Sequence, residues 1–533
     1  MSREPCGPRC AAPQGRRHQR WFVMLACGAA LAAGPLVRES LAAGDSLFAG
    51  DQVHAISIAF AQPAWRETLA AWHDAGVETY LPAVVVVNGA SYDSVGVRFK
   101  GQSSYLFSND KKPFRLVFDE FRGSQRLDGL KSVHLNNAWR DPSFLREKLH
   151  LGFLRDAGVA APRANHATLE VNGEPWGLYV LVEHVDKKFL ESRFGEKDGN
   201  LYKAVDGIAT NAGGGPPPLS DFRWYGPDPA DYTDRYELKT DDSERPWSDL
   251  LAVADALAHS PDLPAALPSL VQLERFGRAM AADNLLGNLD SYAGSGRNFY
   301  AYFPKDGRPM EWIAWDAGLS FGAYRVDRTD PRTLPPDYVS DDDDRPLLAR
   351  LLGEPALRRD YLDGYAALFR DQFSVPRLLA RVDSLAALVR PYVLADPKKA
   401  TTNEQFEESL VSDVRLGDLV VPGLASFLRA RAATVAAWLA ADGGAPAGCR
   451  LAGIVPNPAR SSVSFTVELA SAGSLRLEVF DPAGRRVAEL ANGAWSAGSH
   501  TLDADVSGLA PGLYLCRLRA ARGESVKRIV VLP

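Results

Sequence analysis

The stretch that most constrains the fold is residues 283–322, where two aspartates and an asparagine surround a predicted hairpin. Its first part is apolar with helical spacing and breaks into a loop at Asp290. Asn298 then opens an aromatic strand, and a second predicted strand over 310–315 follows a Lys-Asp-Gly turn. Asp316 stands at the exit of that strand, before a glycine. The order of helix, loop and hairpin predicts that the three polar residues form one constellation.

This arrangement is typical of the way protein kinases set out a base and a pair of metal ligands. One aspartate accepts the proton of the acceptor hydroxyl, while an asparagine and a second aspartate hold the metal ions on the nucleotide phosphates. We therefore expect Asp290 to be the catalytic base, and Asn298 and Asp316 to be the metal ligands. The alternative is that the two aspartates only satisfy backbone amides at a turn and a strand end.

Motifs in the same stretch resemble the CotH kinase family, named after a spore-coat protein. They are Asn-Leu-Asp-Ser-Tyr at 288–292, Asn-Phe-Tyr at 298–300 and Trp-Asp-x-Gly-x-Ser-Phe-Gly at 315–322. The resemblance spans about residues 95–322 and implies an α+β, atypical protein-kinase-like domain of two lobes over 47–440. It also implies ATP as the nucleotide and Mg²⁺ or Mn²⁺ as the metal. In one place the chain departs from the pattern, because Ala317-Gly318 stands where some members carry a second acidic residue.

Two earlier segments supply candidates for contacts with the phosphates. The turn that contains Ser103 and Ser104 resembles the family's glycine-serine segment, whose amides and hydroxyls would cover phosphates. A predicted strand over 111–118 is led by basic residues, and the resemblance favours Lys112 or Arg115 as the cation on the phosphates. Strand alternation does not decide between these two, and solvated cations at a sheet edge are the alternative.

Two glutamates complete the set of candidate residues. Glu147 lies on a predicted helix over 144–157 and is the candidate for the structural ion-pair acid of a kinase-like lobe. Glu183 ends the segment 177–183, which resembles the strand leading into the hinge between lobes, so it is a candidate for the nucleotide site. A local surface ion pair is the alternative role of Glu183.

The start of the chain predicts export. An apolar, alanine-rich run over 21–43 follows a basic stretch and ends in small residues, which is typical of a signal peptide over 1–43. Pro35, Arg38 and Glu39 make this run a poor membrane span. The net charge of −6 gives no indication of nucleic-acid binding. We therefore expect a secreted or surface protein that is not integral to a membrane.

The end of the chain predicts a separate module. A stretch rich in Gly, Ala and Pro over 441–452 predicts a linker, and short alternating strands over 453–533 predict a small all-β sandwich. Segments at 455–458, 484–485 and 509–514 resemble immunoglobulin-like C-terminal modules of secreted bacterial proteins, of the FlgD-like or type IX sorting kind. The resemblance implies the secretion machinery as a partner, and a spacer or adhesive domain is the alternative. Cys449 and Cys516 form either a disulfide or two buried thiols.

Taken together, the resemblance implies an exported kinase that transfers the γ-phosphoryl group of ATP to Ser or Thr hydroxyls of exported proteins. Such a site works by positioning and charge neutralisation and needs no covalent enzyme intermediate. The rival interpretation is a catalytically silent surface or coat-assembly protein that keeps the fold for binding partners.

Overall fold

The computed structural model describes residues 42–205, 219–240, 246–326, 329–340, 345–440, 449–469, 472–520 and 524–533. Residues 1–41 of the predicted signal peptide and most of the predicted linker lie outside these ranges. Up to residue 440 the described chain mixes helices and strands, and from 449 onward it contains strands. This order confirms the predicted α+β part followed by an all-β part. Within the described ranges, no helix combines the length and the apolar character that crossing a membrane requires.

The first part of the fold is a closed barrel of seven strands. The strands are β1 (Val53–Ala59), β2 (Leu81–Val87), β3 (Ala90–Phe99), β4 (Phe114–Val117), β5 (Ser132–Asn136), β6 (Ala164–Val171) and β7 (Glu174–Glu183). The helices are α1 (Asp45–Phe48), α2 (Trp65–Asp74), α3 (Ser103–Leu106) and α4 (Arg146–Asp156). The strand order is β1-β2-β3-β4-β5-β7-β6, and β1 closes the barrel by pairing in parallel with β6. Alternate apolar residues such as Val97, Phe114 and Leu135 fill its interior.

Two Asn-Gly turns set the register of the barrel hairpins. Asn88 and Gly89 join β2 to β3 with φ of 49° and 86°, and Asn172 and Gly173 join β6 to β7 with φ of 50° and 82°. Positive φ at both central residues matches the right-handed twist of the flanking strands, and asparagine and glycine adopt it at low cost. The turns therefore fix which residues of each strand face the barrel interior.

The second part combines a four-stranded sheet with helices. Its strands are β8 (Asn200–Ala204), β9 (Tyr236–Leu238), β10 (Phe299–Phe303) and β11 (Glu311–Ala314), and a small hairpin contains β12 (Val414–Leu416) and β13 (Leu419–Val421). The helices are α5 (Lys187–Phe194), α6 (Ser248–His259), α7 (Leu263–Ala266), α8 (Leu273–Leu285), α9 (Pro346–Gly353), α10 (Pro355–Asp371), α11 (Val375–Leu394), α12 (Asn403–Val411) and α13 (Leu424–Ala440). The sheet order is β11-β10-β8-β9. One apolar core joins this sheet, α4 and the helices from α6 onward, and a smaller cluster packs α5 against the sheet.

One predicted element is shorter than expected in a way that matters for the site. The basic strand predicted over 111–118 is β4, which begins only at Phe114. Pro113 has no N–H group to donate to a ladder, and its carbonyl oxygen accepts a hydrogen bond from the amide of Lys100 (3.1 Å). Lys111 and Lys112 therefore precede the strand, and only Arg115 is oriented by it.

The last part is a sandwich of two antiparallel sheets. Its strands are β14 (Cys449–Val455), β15 (Ser462–Leu469), β16 (Gly473–Phe480), β17 (Arg486–Trp495), β18 (Gly498–Asp505), β19 (Gly512–Ala520) and β20 (Glu524–Val531). One sheet has the order β14-β15-β18 and the other β17-β16-β19-β20. Strand β14 lies partly inside the predicted linker. Cys449 and Cys516 are two buried thiols rather than a disulfide, and burial raises the pKa of Cys516 to about 12.

Candidate active site

The loop after helix α8 holds the predicted base, Asp290. Its start is fixed by Asp283, a buried residue near the end of the helix. One carboxylate oxygen of Asp283 lies 2.9 Å from His150 Nε2 and accepts a hydrogen bond from Asn288 Nδ2 (2.9 Å). Ser295 Oγ donates to Asp290 Oδ1 (2.9 Å), so the carboxylate of the half-buried Asp290 is held by its own loop.

The predicted metal ligands flank the hairpin of β10 and β11. Asn298 Nδ2 donates to the carbonyl oxygen of Asp290 (2.7 Å), and the Asn298 carbonyl accepts from the amide of Trp315 (3.2 Å). These bonds bring Asp290, Asn298 and Asp316 to one end of the hairpin. Asn298 and Asp316 both have left-handed backbone, with φ of 63° and 50°. Asparagine and aspartate adopt this conformation more readily than other side chains, and such residues cluster at functional sites.

A second polar group faces Asp316 from the barrel. Lys100, the residue after β3, donates from Nζ to Asn136 Oδ1 (2.6 Å), and Asn136 Nδ2 donates to both carboxylate oxygens of Glu147 (2.9 and 2.9 Å). Burial and the negative charge of Asp316 raise the pKa of Glu147 to about 8. Burial lowers the pKa of Lys100, while Asp316 and Glu147 oppose that shift. The charges of Lys100, Glu147 and Asp316 therefore act on one another in one site.

Lys112 does not lie in this group. Its ammonium donates to the carbonyl oxygens of Tyr105 (2.6 Å) and Ser108 (3.2 Å), and it sits 4.6 Å from the centre of the Tyr105 ring. These contacts hold the loop around α3. The prediction that Lys112 contacts phosphate is thus unsupported by its placement, because the residue precedes β4 and its ammonium already has backbone partners.

Ser103 and Ser104 begin the one-turn helix α3, close to the end of β3. The carbonyl of Ser104 accepts a hydrogen bond from Asn137 Nδ2 (3.0 Å). Gly101 has φ of 80°, and a Cβ at this position would lie 2.4 Å from Ser104 Oγ, so the turn needs glycine there. The role of the two serines as phosphate contacts stays a prediction.

Glu183 is placed as a structural residue. It is 2% exposed, and its carboxylate accepts from Arg163 Nη2 (2.6 Å) and from Arg193 Nη2 (3.1 Å). Arg163 also pairs with Asp45 (2.9 Å), which ties the start of the described chain to the barrel. Both oxygens of Glu183 are therefore engaged in buried ion pairs rather than in a surface pair, and its role at the nucleotide site stays a prediction.

Arg115 is hydrogen-bonded to a pair of histidines, His184 and His134, that no sequence motif marks. Arg115 Nη2 lies 2.9 Å from His184 Nε2, and His184 Nδ1 lies 2.8 Å from His134 Nε2. Burial and the neighbouring cations, including Lys100, hold the pKa of both histidines well below its ordinary value, so both imidazoles are neutral at pH 7. His134 lies two residues before Asn136 on β5, and strand alternation puts them on one face.

The surroundings of this pair are rich in positive charge. The cations that act on His184 are Arg115, Lys239, Lys203 and Lys100. Arg98, which lies opposite Arg115 in the register of β3 and β4, pairs with Glu78 at 2.8 Å. Lys203 and Lys239 are partly balanced by Glu237, whereas Arg115 and Lys100 lie beside neutral histidines, and this positive charge favours an anion.

The donor atoms at the hairpin fit a Mg²⁺ or Mn²⁺ ion. Asp316 offers an exposed carboxylate, and Asn298 uses its amide nitrogen to bind Asp290, which leaves the amide oxygen for a cation. Mg²⁺ is usually held by one or two carboxylates together with waters and substrate phosphates. In the part of the chain that the structure describes, no group of three or more His, Cys, Asp or Glu side chains is arranged to hold a metal by itself.

Comparison with known proteins assigns both parts of the chain. Residues 97–433 match the family described as CotH kinase protein, and residues 453–532 match the secretion system C-terminal sorting domain. The inner spore coat protein H of Bacillus subtilis (strain 168) is 26% identical over 332 residues, which cover 61% of this chain and 85% of that protein. Spore coat protein homolog 1 of Rhizopus delemar is 24% identical over 285 residues, covering 51% of this chain and 42% of that protein.

Solved structures with partial similarity include the proinflammatory kinase CtkA of Helicobacter pylori, at 12% identity and a TM-score of 0.27, covering 59% of this chain and 90% of CtkA. The HipA–HipB complex of Shewanella oneidensis MR-1 matches at 13% identity and a TM-score of 0.26, covering 60% of this chain and 69% of that one. The family match extends over more than half of the 533 residues. The chain therefore belongs to the CotH kinase protein family and ends in a secretion system C-terminal sorting domain.

Proposed function

We propose that this protein is an exported atypical kinase that transfers the γ-phosphoryl group of ATP to Ser or Thr hydroxyls of secreted or surface proteins. The observation that carries the proposal is the convergence of Lys100, Glu147 and Asp316 with the loop of Asp290 and Asn298. The barrel and the helical part are then the two lobes of a kinase-like domain. The sandwich is then an immunoglobulin-like module that the secretion machinery recognises.

Each residue of the site has a role that its surroundings support. Asp290, held by Ser295, accepts the proton of the acceptor hydroxyl and orients it for in-line attack. Lys100, held by Asn136, stabilises negative charge on the phosphates. Asn298 and Asp316 would hold a magnesium or manganese ion, which when bound neutralises charge on the phosphate oxygens. Transfer is in-line and direct, so no group on the protein becomes phosphorylated.

The C-terminal domain supports a setting outside the cytoplasm. Residues 453–532 match a domain described as a secretion-system sorting domain, which supports delivery to the surface or beyond it. The relatives from Bacillus subtilis and Rhizopus delemar carry spore-coat names, which supports acceptor proteins in an outer layer of a cell or spore.

The decisive experiment separates the two aspartates of the site. Purified protein is incubated with labelled ATP, Mn²⁺ and candidate exported proteins, and nucleotide binding is measured in parallel. Asp316→Asn removes a charge that faces the metal, so we expect it to lose both metal-dependent ATP binding and transfer. Asp290→Asn should keep ATP binding and lower transfer by about two to four orders of magnitude, the range for a positioned base.

Asp306 provides the matched control, because it lies in the turn between β10 and β11 and binds Arg308 there (3.0 and 2.8 Å). Asp306→Asn should leave binding and transfer unchanged. Normal transfer by folded Asp316→Asn protein would refute the proposal. ATP binding by the wild type without transfer to any acceptor would favour the catalytically silent, partner-binding role.

A further inference from the structure

Three neighbouring barrel strands carry a row of nitrogen donors on the face opposite the barrel core. Arg98 lies opposite Arg115 across β3 and β4, and Arg115 lies opposite His134 across β4 and β5. Directly opposed residues point to the same face with Cβ atoms about 5 Å apart. The ring of His134 meets that of Trp315, the residue before Asp316, at 5.1 Å and 71°. The row therefore lines the side of the barrel that faces the candidate metal ligand.

The hydrogen bonds in this row fix the tautomer of His134. A guanidinium can only donate, so His184 Nε2 must accept the bond from Arg115. Neutral His184 then carries its proton on Nδ1 and donates it to His134 Nε2. Neutral His134 in turn carries its proton on Nδ1. The chain of bonds from Arg115 through His184 thus makes His134 Nδ1 a donor.

This donor has nothing to bind within the described residues. His134 is 5% exposed, and its Nδ1 is buried without a hydrogen-bond partner. Nε of Arg98 and Nε of Arg115 are also buried without partners in the described part of the chain. Leaving a buried donor unsatisfied is costly, so such a group needs an explanation, and a bound ion or a role in catalysis is one.

The charges around the donor indicate the chemistry of that ligand. Apart from the neutral His184, the groups whose charges most affect His134 are the cations Lys100, Arg115 and Lys203. An N–H donor surrounded by cations favours an anionic acceptor over a neutral carbonyl or hydroxyl. A phosphoryl oxygen meets both requirements, because it accepts hydrogen bonds and carries negative charge.

We propose that His134 Nδ1–H donates a hydrogen bond to a phosphoryl oxygen of the bound nucleotide, and that Arg115 and His184 act as positioning residues that hold its tautomer. The inference rests on the proposed function and adds a phosphate contact outside the motifs of the loop and hairpin. Lys100 and His134 then bind the phosphates from the same face of the barrel, since Asn136, the partner of Lys100, follows His134 by two residues on β5.

The test compares variants of two buried histidines of the barrel. His134→Phe keeps a ring and removes the donor, while His134→Asn places an amide N–H near the position of Nδ1. His166→Phe is the matched control, because His166 is also buried on β6, with Nε2 2.8 Å from the Phe144 carbonyl oxygen and Nδ1 unpartnered in the described chain. Calorimetry measures the affinity of a non-hydrolysable ATP analogue, of tripolyphosphate and of adenosine at fixed Mg²⁺, and melting curves verify folding.

We expect His134→Phe to lower the affinity for the ATP analogue and for tripolyphosphate about tenfold, which is the effect of losing one charge-assisted hydrogen bond. The affinity for adenosine should be unchanged. His134→Asn should recover most of that loss, and His166→Phe should match the wild type. His184→Phe removes the donor to His134 Nε2, so His134 should populate both neutral tautomers. The ¹⁵N chemical shifts of His134 measure this directly.

Other outcomes overturn the inference in distinguishable ways. If His134→Phe lowers only the affinity for adenosine, His134 contacts the base or the ribose and not a phosphoryl oxygen. Equal losses in His134→Phe and His166→Phe would mean that both act only through the barrel fold. Tight ATP binding that His134→Phe leaves intact would reject the inference while the proposed kinase stands. A folded wild-type protein that binds neither ATP nor tripolyphosphate would instead reject the proposed function.

Discussion

The candidate site has a hairpin side and a barrel side, and they differ in how far apart in the chain their residues lie. On the hairpin side, Asp290, Asn298 and Asp316 lie within 27 residues, and hydrogen bonds across the loop and hairpin gather them at one end. On the barrel side, the residues that meet them come from three separate elements, with Lys100 and Glu147 joined through Asn136. The residues predicted on the hairpin side came together, whereas those predicted on the barrel side were divided among different tasks.

The basic segment before β4 shows this division most clearly. Lys111 pairs with the buried Asp396. Lys112 donates hydrogen bonds to carbonyl groups of the α3 loop, and Arg115 donates one to His184. Three cations within five residues thus serve three different environments. Local spacing places residues that a single turn or hairpin connects, but it does not determine which face of a closed barrel a neighbouring cation reaches.

The largest effect that would test this contrast is expected from two lysines of the barrel. Lys100→Met should lower transfer by about two to three orders of magnitude, as for removal of one preorganised donor to a charged transition state. Lys112→Met should change transfer less than about twofold and lower stability by about 1 kcal/mol, because it loses only bonds to carbonyl groups. Steady-state kinetics with the acceptor protein and melting curves measure both. A reversed order of the two effects would return the phosphate contact to Lys112.

A second test concerns stability alone. Lys111 donates to the Leu178 carbonyl (2.6 Å) and to the carboxylate of Asp396, and both side chains of the pair are buried. Lys111→Met leaves Asp396 without its cation, so we expect a loss of about 3–5 kcal/mol in the free energy of unfolding by urea. Lys188→Met is the control, because Lys188 and its partner Glu191 (2.8 Å) are both exposed, so the variant should lose far less stability. Equal costs for the two variants would show that burial does not govern this pair.

A third test concerns the pH dependence of stability on the barrel side. The pKa values of His134 and His184 are held well below the ordinary value, and burial lowers the pKa of His166 to about 4. The unfolded chain, with histidine pKa values of about 6.5, therefore binds more protons than the folded chain below that pH. The free energy of unfolding should fall on acidification by up to about 1.4 kcal/mol per pH unit for each histidine, and the full stabilisation should be present above about pH 6.5.

His134→Phe removes one of these groups and should give a shallower decline between about pH 6.5 and 5. Urea unfolding at a series of pH values measures the slope. An unchanged or steeper decline in the variant would mean that His134 is already charged in the folded protein.

The sequence predicted the fold class, both modules and the grouping of Asp290, Asn298 and Asp316 at one end of the hairpin, because these depend on periodicity, turns and motifs close together in the chain. Glu147 was predicted as an ion-pair acid, whereas both of its carboxylate oxygens accept from the amide of Asn136. Asn136, His134 and His184 were not predicted as site residues. They converge only once β3, β4, β5 and β7 are in register, a non-local arrangement that no short pattern encodes.

In the C-terminal module the strands β14 and β18 have weak sequence signals for a related reason. Strand β18 has the exposed, polar sequence Gly-Ser-His-Thr-Leu-Asp-Ala-Asp, and its pairing with β15 defines it more than its own composition does. Strand β14 begins within a stretch whose small residues and glycines resemble a linker. Tertiary pairing overrides weak intrinsic preference in both cases.

The buried aspartate beneath β7 has a consequence for how the chain matures. Asp396 Oδ2 accepts from the amide of Leu178 (2.8 Å), and a Cβ at Gly177 would lie 2.0 Å from this carboxylate. The barrel strands are therefore completed by a side chain 218 residues downstream of Leu178. We expect nascent or translocating chains that end before Asp396 to lack this contact and to leave β7 accessible to proteases. The contact forms only when the helical part has been synthesised and has packed against the barrel. Synthesis order and barrel closure are thereby coupled in time.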